Sequence, residues 1–126
     1  MREGRITEHF SWYEAVCRHC GQLPPDLEPN VIATAEMAER IRALLGDRPM
    51  RISSWYRCPE HNAEVGGAKN SMHLQGKAID FVVKDMVPHA VQVKCEALQQ
   101  QGIIGGLGWY HGWTHADLGP RRSWRG

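Results

Sequence analysis

Apolar residues recur at three- and four-residue steps from Asn30 to Leu45, and this spacing predicts an amphipathic α-helix. Asn30 is a suitable N-cap, and Gly46 is a stop signal beyond the last apolar residue. A second helix is predicted from about Pro88 to Gln101, because proline is favoured in a first helical turn and a glycine follows the end. The hydrophobic pattern therefore predicts two long helices, separated by a stretch of different periodicity.

In that stretch, and after the second helix, the pattern is typical of β-strands. Met50 to Tyr56 is predicted as one strand, and Lys77 to Lys84 as another, since large apolar residues occupy every other position of the latter. Asp80 then lies on the face opposite that apolar set. Leu107 to Tyr110 and Trp113 to Leu118 are predicted as two further short strands. Because helices and strands do not alternate regularly, we expect an α+β fold with a small antiparallel sheet flanked by helices.

Length and composition fit one domain. The chain has 126 residues, 42% hydrophobic and 23% charged, values typical of a globular protein. We expect a single domain over residues 1–126, with residues 1–29 as a lead-in segment. No apolar run reaches the roughly 18 to 20 residues of a membrane helix, so no membrane contact is expected. The net charge of +1 and the scattered Lys and Arg residues argue against a nucleic-acid partner, and we expect a monomer.

The lead-in segment begins with polar residues and contains one short predicted helix. Ser11 followed by Glu14 matches a capping box, which predicts a helix from Ser11 to Val16. Charged and polar side chains occur throughout the first residues, without an apolar stretch of the kind found in signal peptides. No signal peptide is visible, and synthesis in the cytoplasm is expected.

Four cysteines are too few and too unevenly spaced to indicate a secreted disulfide scaffold. Cys17 and Cys20 form a C-x-x-C pair beside His19. Such a pair could be half of a structural zinc site, with Cys58 and His61 as completing ligands. Reduced thiols in a loop, or a disulfide from one of the pair to Cys58, are alternatives that remain open. The cysteine at position 95 follows the apolar spacing of its helix, which predicts a place in the core.

A second set of metal-binding residue types surrounds the predicted strand at Lys77. His73 and Asp80 are seven residues apart, and in an unbroken strand they would face opposite ways. Gly76 permits a turn that folds His73 back above the strand carrying Asp80. His115 is the natural third ligand, because a catalytic zinc site takes three protein ligands and keeps one open position. A His/Asp/His set suits zinc better than magnesium or calcium.

These residues belong to longer motifs that resemble a known group of enzymes. S-x-H-x-x-G-x-A-x-D, from Ser71 to Asp80, followed downstream by a strand with His115, resembles the zinc peptidases that include D-alanyl-D-alanine carboxypeptidases, lysostaphin-type enzymes and hedgehog signalling domains. Residues 53–62 are similar to the S-G-Y-R-[SC]-P-x-H-N segment of small bacterial and phage members. The ending H-A-D-L-G-P, with Trp124 beyond it, is similar to their H-x-D-x-G terminus. Together the matches extend from about Ile52 to Trp124.

The resemblance implies a hedgehog/D,D-peptidase-like zinc peptidase fold, with one zinc ion held by His73, Asp80 and His115. It implies that the partners are peptidoglycan stem peptides, hydrolysed by a zinc-activated water in a D,D-carboxypeptidase or endopeptidase reaction. Action on the cell wall or in the periplasm is expected, and release of a prophage endolysin would explain the lack of a signal peptide. A zinc-binding module without activity, or a phage structural or assembly component, are the rival hypotheses.

The resemblance also implies contacts to the substrate. Arg57 is expected to hold a substrate carboxylate or the carbonyl under attack, since its planar guanidinium can bind two oxygens; a surface salt bridge is the alternative. Asn70 and Ser71 are expected to orient the substrate backbone, unless they only form a turn. Trp109 and Tyr110 could line the cleft or belong to the core.

One departure from the group concerns the general base. Carboxypeptidases of the group commonly carry an acidic residue three positions before the last ligand, but here Gly112 stands in that position before His115. His111 and Asp117 are the nearest replacements, and His111 is slightly favoured as the group that accepts a proton from water. Asp117 could instead orient a ligating imidazole through a hydrogen bond.

Overall fold

The computed structural model describes residues 3–126. The α-helices are α1 Trp12–Ala15, α2 Glu28–Leu44, α3 Pro59–Glu64 and α4 Pro88–Gln100. The strands are β1 Met50–Ser54, β2 Ala78–Val83, β3 Gly106–Trp109, β4 Thr114–Asp117 and β5 Arg122–Arg125. Two 3₁₀ turns, Pro25–Leu27 and Met72–Gln75, precede α2 and β2 respectively.

The five strands form one sheet in the order β1-β2-β4-β3-β5. All neighbouring pairs are antiparallel except β3 and β5, which are parallel. The predicted α+β class with a mainly antiparallel sheet is confirmed, while the assignment to a hedgehog/D,D-peptidase-like fold stays a prediction. Within residues 3–126, none of the helices has both the length and the apolar character needed to cross a membrane.

One hydrophobic core joins the long helices to the sheet. It contains Val31 and Ile41 of α2, Val91 of α4, and Ile79 and Phe81 of β2, all of them almost completely buried. Because side chains alternate along a strand, the residue between those last two projects to the other face of the sheet. The helices therefore cover one face of β2 and leave the opposite face to the polar groups described below.

The predicted long helix is present, but its predicted N-cap was wrong. Helix α2 begins at Glu28 with Leu27 as N-cap, because the 3₁₀ turn Pro25–Leu27 leads directly into it and a proline occupies its first turn. The Asn30 side chain instead donates a hydrogen bond to the Gln75 carbonyl oxygen at 3.0 Å. This contact joins α2 to the turn that comes just before β2.

Other predicted elements are present with shorter limits. The helix at Ser11 is confirmed as α1, and the Ser11 N–H donates to Glu14 Oε1 at 2.8 Å. Strand β1 ends at Ser54, two residues before the predicted end, because its pairing with β2 becomes irregular there. Helix α3 and strand β5 were not predicted. Strand β5 is an exposed edge strand rich in arginine, so it lacks the apolar alternation that reveals a strand.

Candidate metal centre and cleft

Side chains from three separate elements meet on the sheet face opposite the helices. Asp80 of β2 is directly paired with His115 of β4, and His73 comes from the 3₁₀ turn before β2. Gly76 ends that turn in the left-handed conformation at φ 70°, which reverses the chain above β2. Asp80 Oδ1 lies 3.2 Å from His73 Nε2 and 2.9 Å from His115 Nδ1. The structure thus brings the three predicted ligands together.

The hydrogen bonds around the two histidines determine which nitrogen of each ring carries a proton. His73 Nδ1 lies 2.6 Å from the Trp55 carbonyl oxygen, which can only accept, so this nitrogen donates. His115 Nε2 lies 2.7 Å from Asp117 Oδ2, a carboxylate oxygen, and donates there in the same way. In the neutral rings, His73 Nε2 and His115 Nδ1 therefore each carry a lone pair, and both nitrogens face Asp80 Oδ1. Three donor atoms that face one another need a cation between them, either a proton or a metal ion, and two imidazoles with one carboxylate fit a metal ion.

The pKa directions of His73 and Asp80 agree with that description, while the direction for His115 favours a proton on its ring when no metal ion is bound. Burial lowers the pKa of His73, which favours the neutral ring that a metal binds. Burial also opposes a charge on His115, but hydrogen bonds to Asp117 and Asp80 outweigh it and raise the pKa of His115. Burial likewise opposes a charge on Asp80, yet hydrogen bonds from His115 and His73 hold the pKa of this carboxyl well below its usual range. Asp80 is therefore a permanent anion at neutral pH.

Asp117 lies behind His115 and is completely buried. Its Oδ2 accepts from His115 Nε2 and, at 2.9 Å, from the Arg122 guanidinium. Its Oδ1 accepts from the Gly106 N–H at 3.0 Å and from the Gly119 N–H at 2.8 Å. Although burial raises the pKa of Asp117, the hydrogen bonds from His115 and Arg122 outweigh that effect and hold it well below its usual range. With both oxygens occupied, Asp117 orients His115 and has no oxygen free for a water in the cleft.

Arg57 holds the other oxygen of Asp80. Its guanidinium donates to Asp80 Oδ2 at 3.1 Å, to Asn62 Oδ1 at 3.2 Å and to Ser54 Oγ at 3.1 Å. These contacts leave Asp80 Oδ1 free to face the two imidazoles. A guanidinium has five N–H groups, so two remain available to a molecule in the cleft.

The cluster lies in a cleft of about 410 Å³. Tyr110 and Trp113 stack there with ring centroids 4.4 Å apart. Trp124 of β5 lies against His115, with centroids 4.9 Å apart, and its indole N–H donates to the Tyr110 hydroxyl at 2.8 Å. Ser71 also lines the cleft, and its hydroxyl accepts from the His73 N–H at 3.2 Å.

Three residues predicted for the site lie elsewhere. Trp109 is buried on the helix side of the sheet, beside His89 of α4. Its neighbour Gly108 is paired with His115, and because successive strand residues face opposite ways, Trp109 is directed away from the cleft. His111 is exposed and lines a different cavity together with Trp109. Asn70 is an exposed turn residue that does not line the cleft. Among the described residues that line the cleft, Asp80 is the only carboxylate.

Two groups that fix the side chains of the site were not predicted from the sequence. Arg122 neutralises Asp117 from strand β5, and the Trp55 carbonyl fixes the His73 ring. The only signal for Arg122 is its position shortly after the H-A-D-L-G-P ending. The parallel pairing of β5 with β3, which places Arg122 beside Asp117, is not indicated by any local pattern. The second is a backbone group and leaves no signal in the sequence.

Comparison with known proteins agrees with this geometry. Residues 8–117 match the family described as peptidase M15. The chain belongs to that family. The resemblance to the D-alanyl-D-alanine carboxypeptidase group, inferred from the motifs, is thereby confirmed.

Curated relatives of this M15 chain are named as peptidases, and some of them as peptidoglycan endopeptidases. The peptidoglycan L,D-endopeptidase MepK of Escherichia coli K12 is 34% identical over 93 residues, which cover 68% of this chain and 49% of that protein. The probable peptidoglycan L,D-endopeptidase MepK of Haemophilus influenzae is 41% identical over 63 residues, 48% of this chain and 32% of that protein. The zinc D-Ala-D-Ala carboxypeptidase of Streptomyces albus G is 35% identical over 52 residues, 41% of this chain and 20% of that protein.

The matched regions therefore span half or less of each of these relatives. None of the three is named as a phage protein or an endolysin, so a phage role for this M15 chain stays a prediction.

Proposed function

We propose that this M15 chain is a zinc-dependent peptidase that hydrolyses peptide bonds in bacterial peptidoglycan. The observation that carries the proposal is the convergence of His73 Nε2 and His115 Nδ1 on Asp80 Oδ1, at 3.2 and 2.9 Å. Two imidazoles and one carboxylate favour zinc over magnesium and calcium, and leave a position open for reaction. The name of the MepK relative supports peptidoglycan as the substrate, and the name of the carboxypeptidase relative supports zinc and a D-alanyl-D-alanine peptide.

In this proposal His73, Asp80 and His115 hold the ion. Bound zinc supplies Lewis acidity and lowers the pKa of a water molecule to about 7. Arg57 fixes Asp80 through one carboxylate oxygen and offers its remaining N–H groups to a carbonyl or carboxylate of the peptide. The stacked rings of Tyr110 and Trp113 form an apolar wall against which a peptide can lie.

One observation favours a second candidate function. Asp80 is the only carboxylate among the described cleft residues, and Asp117 has both oxygens occupied. A cleft that lacks a separate carboxylate base is compatible with a zinc-binding module that recognises cell-wall peptides without cleaving them. Turnover therefore decides between the two candidates.

The deciding experiment is digestion of defined muropeptides followed by mass spectrometry of the products. Three substrates should be compared: an L,D-linked dimer, a D,D-linked dimer and a monomer ending in D-alanyl-D-alanine. We expect cleavage that stops on treatment with a chelator and returns with zinc. Zinc binding without cleavage of any of the three between about pH 5 and pH 9 would establish the non-catalytic module instead.

The Arg57→Ala variant should lose activity in two separable ways. Without the guanidinium, Asp80 Oδ2 loses a charged partner. Zinc affinity should therefore fall about tenfold, the lower limit of the 10- to 100-fold loss typical for removal of a residue that orients a metal ligand. Loss of the contact to the substrate should also reduce kcat/KM on the order of 10²-fold, even when zinc is saturating. Titration of zinc content beside the rate measures both effects.

Arg51→Ala is the matched control, since Arg51 is exposed on β1 and does not line the cleft. It should behave like the unmodified protein. If saturating zinc restores full activity to the Arg57→Ala variant, Arg57 only positions Asp80 and the proposed contact to the substrate is wrong.

The His111→Ala variant should retain nearly all activity, contrary to the expectation from sequence. His111 is exposed and lines a cavity other than the one that contains the candidate ligands. The rate should therefore agree with that of a His89→Ala variant, which alters the same second cavity. Loss of most activity with zinc retained would return His111 to the role of general base.

A further inference from the structure

A second group of metal-binding side chains lies outside the cleft, where the lead-in segment meets α3. The Sγ atoms of Cys17, Cys20 and Cys58 all lie within 4.8 Å of one another. Sulfur atoms about 2.3 Å from one tetrahedral zinc ion are about 3.8 Å apart, so binding would require only a small contraction. All four cysteines of the chain are free thiols, and the three of the cluster are available as ligands.

The backbone around the cluster is arranged to stabilise thiolates. The Cys58 N–H donates to Cys17 Sγ at 3.4 Å, and the His61 N–H donates to Cys58 Sγ at the same distance. N–H groups directed at sulfur favour the thiolate, which is the form of cysteine that binds metal. Three thiolates at this spacing repel one another unless a cation lies between them.

Two imidazoles lie beside the sulfur atoms. The rings of His19 and His61 stack with centroids 5.7 Å apart and planes 7° from parallel. His19 Nδ1 is 3.8 Å from Cys58 Sγ, close to the distance of about 3.6 Å expected between nitrogen and sulfur ligands of one zinc ion. His61 Nδ1 is buried and has no hydrogen-bond partner among the described residues. His19 thus offers a nitrogen close to one sulfur atom, and His61 Nδ1 is a second nitrogen with no competing partner among the described residues.

We propose that Cys17, Cys20 and Cys58 bind a second, structural zinc ion as thiolates, with one imidazole of the His19–His61 pair as the fourth ligand. Three soft sulfur ligands and one imidazole select zinc, and four protein ligands leave no open position for a substrate. This site is therefore structural, and it lies outside the cleft proposed for peptide hydrolysis.

The position of the site indicates what the ion stabilises. Cys17 and Cys58 are 41 residues apart, so the ion joins the lead-in segment to the start of α3. Cys58 directly follows Arg57, whose guanidinium holds Asp80. Metal binding by such a site contributes directly to the stability of the fold. Loss of the ion should consequently loosen the segment that supports one side of the cleft.

The test is metal analysis of the purified protein together with cobalt substitution. We expect two zinc ions per chain in the unmodified protein and one in a Cys20→Ser variant, chosen because Cys20 is exposed. A Cys95→Ala variant is the matched control and should keep both ions, since Cys95 lies in the hydrophobic core. Cobalt should produce a thiolate charge-transfer absorption, which the His/Asp/His site cannot produce. An Asp80→Asn variant should retain this absorption, which separates the proposal from the fate of the cleft site.

Several results would overturn the proposal. One is a single zinc ion per chain with the three thiols freely reactive before any chelator is added. Another is a disulfide from Cys58, detected as a pair of thiols that react only after reduction. His19→Ala and His61→Ala identify the fourth ligand, because one of them should lose the second ion while the other keeps it. Retention of that ion by both variants would refute an imidazole ligand.

Discussion

Replacement of Asp80 by asparagine should remove the metal from the cleft and reduce peptide hydrolysis to the background rate. Asp80 Oδ1 lies between His73 Nε2 and His115 Nδ1, and it supplies the negative charge of the donor set. Asparagine has nearly the same shape but is neutral, so the ion would lose its one anionic ligand. The same change leaves the Arg57 guanidinium without its charged partner. Loss of the anionic ligand and loss of the Arg57 partner should both reduce peptide hydrolysis.

Zinc content and the rate of muropeptide cleavage are the measurements for Asp80→Asn. Glu96→Gln is a suitable control, because it neutralises an exposed carboxylate of α4. The thiolate cluster should keep its ion, so the zinc content should fall from two to one. An Asp80→Asn protein that retains both ions and its activity would contradict the assignment of the cleft site.

The ligand cluster was predictable from the sequence because each part depends on local chain geometry. Gly76 allows the left-handed turn that places His73 above β2, and alternation along that strand places Asp80 away from the core. Alternation along β4 likewise gives His115 and Asp117 the same face. The pairing of β2 with β4, which brings His115 beside Asp80, joins residues 35 apart in the chain and was not predicted from a local pattern.

The surroundings of the cluster depend on contacts that the sequence does not encode locally. His111 is four residues from His115, yet it lies before the start of β4 and its side chain is directed elsewhere. Trp109 was expected in the cleft, but Gly108 is the β3 residue paired with His115. A Cβ atom at Gly108 would lie 2.9 Å from the Trp124 ring, so glycine there allows an aromatic residue from β5 to approach. Such details follow from the register of distant strands.

The Asp117→Asn variant should bind zinc about 10- to 100-fold more weakly and should recover most of its activity when zinc is saturating. Asp117 contacts His115 Nε2 at 2.7 Å and fixes the ring so that Nδ1 faces Asp80. The neutral amide is a weaker acceptor, and it can present an N–H group to the imidazole. The His115 ring would then be free to turn or change tautomer, which weakens the ligand without removing it.

The pH dependence of the Asp117→Asn defect provides an independent check. The depressed pKa of Asp117 means that the carboxylate contributes stability above its unfolded pKa of about 3.9 and loses it only in stronger acid. The loss of zinc affinity should therefore be largest where His115 is neutral, and smaller in acid, where the proton that Asp117 also favours on His115 competes with zinc. A general base would instead produce a loss of kcat that saturating zinc does not repair.

An Arg122→Gln variant separates the two partners of Asp117, because it removes the guanidinium and keeps the contact to His115. If Asp117 acts through the imidazole, Arg122→Gln should weaken zinc binding less than Asp117→Asn does. Thermal unfolding must be recorded for both variants, since each removes one partner from the ion pair between Arg122 and the buried Asp117. Equal zinc affinity in folded Asp117→Asn and unmodified protein would show that His115 is held by other contacts. In that case Asp117 stabilises the fold but does not orient the metal ligand.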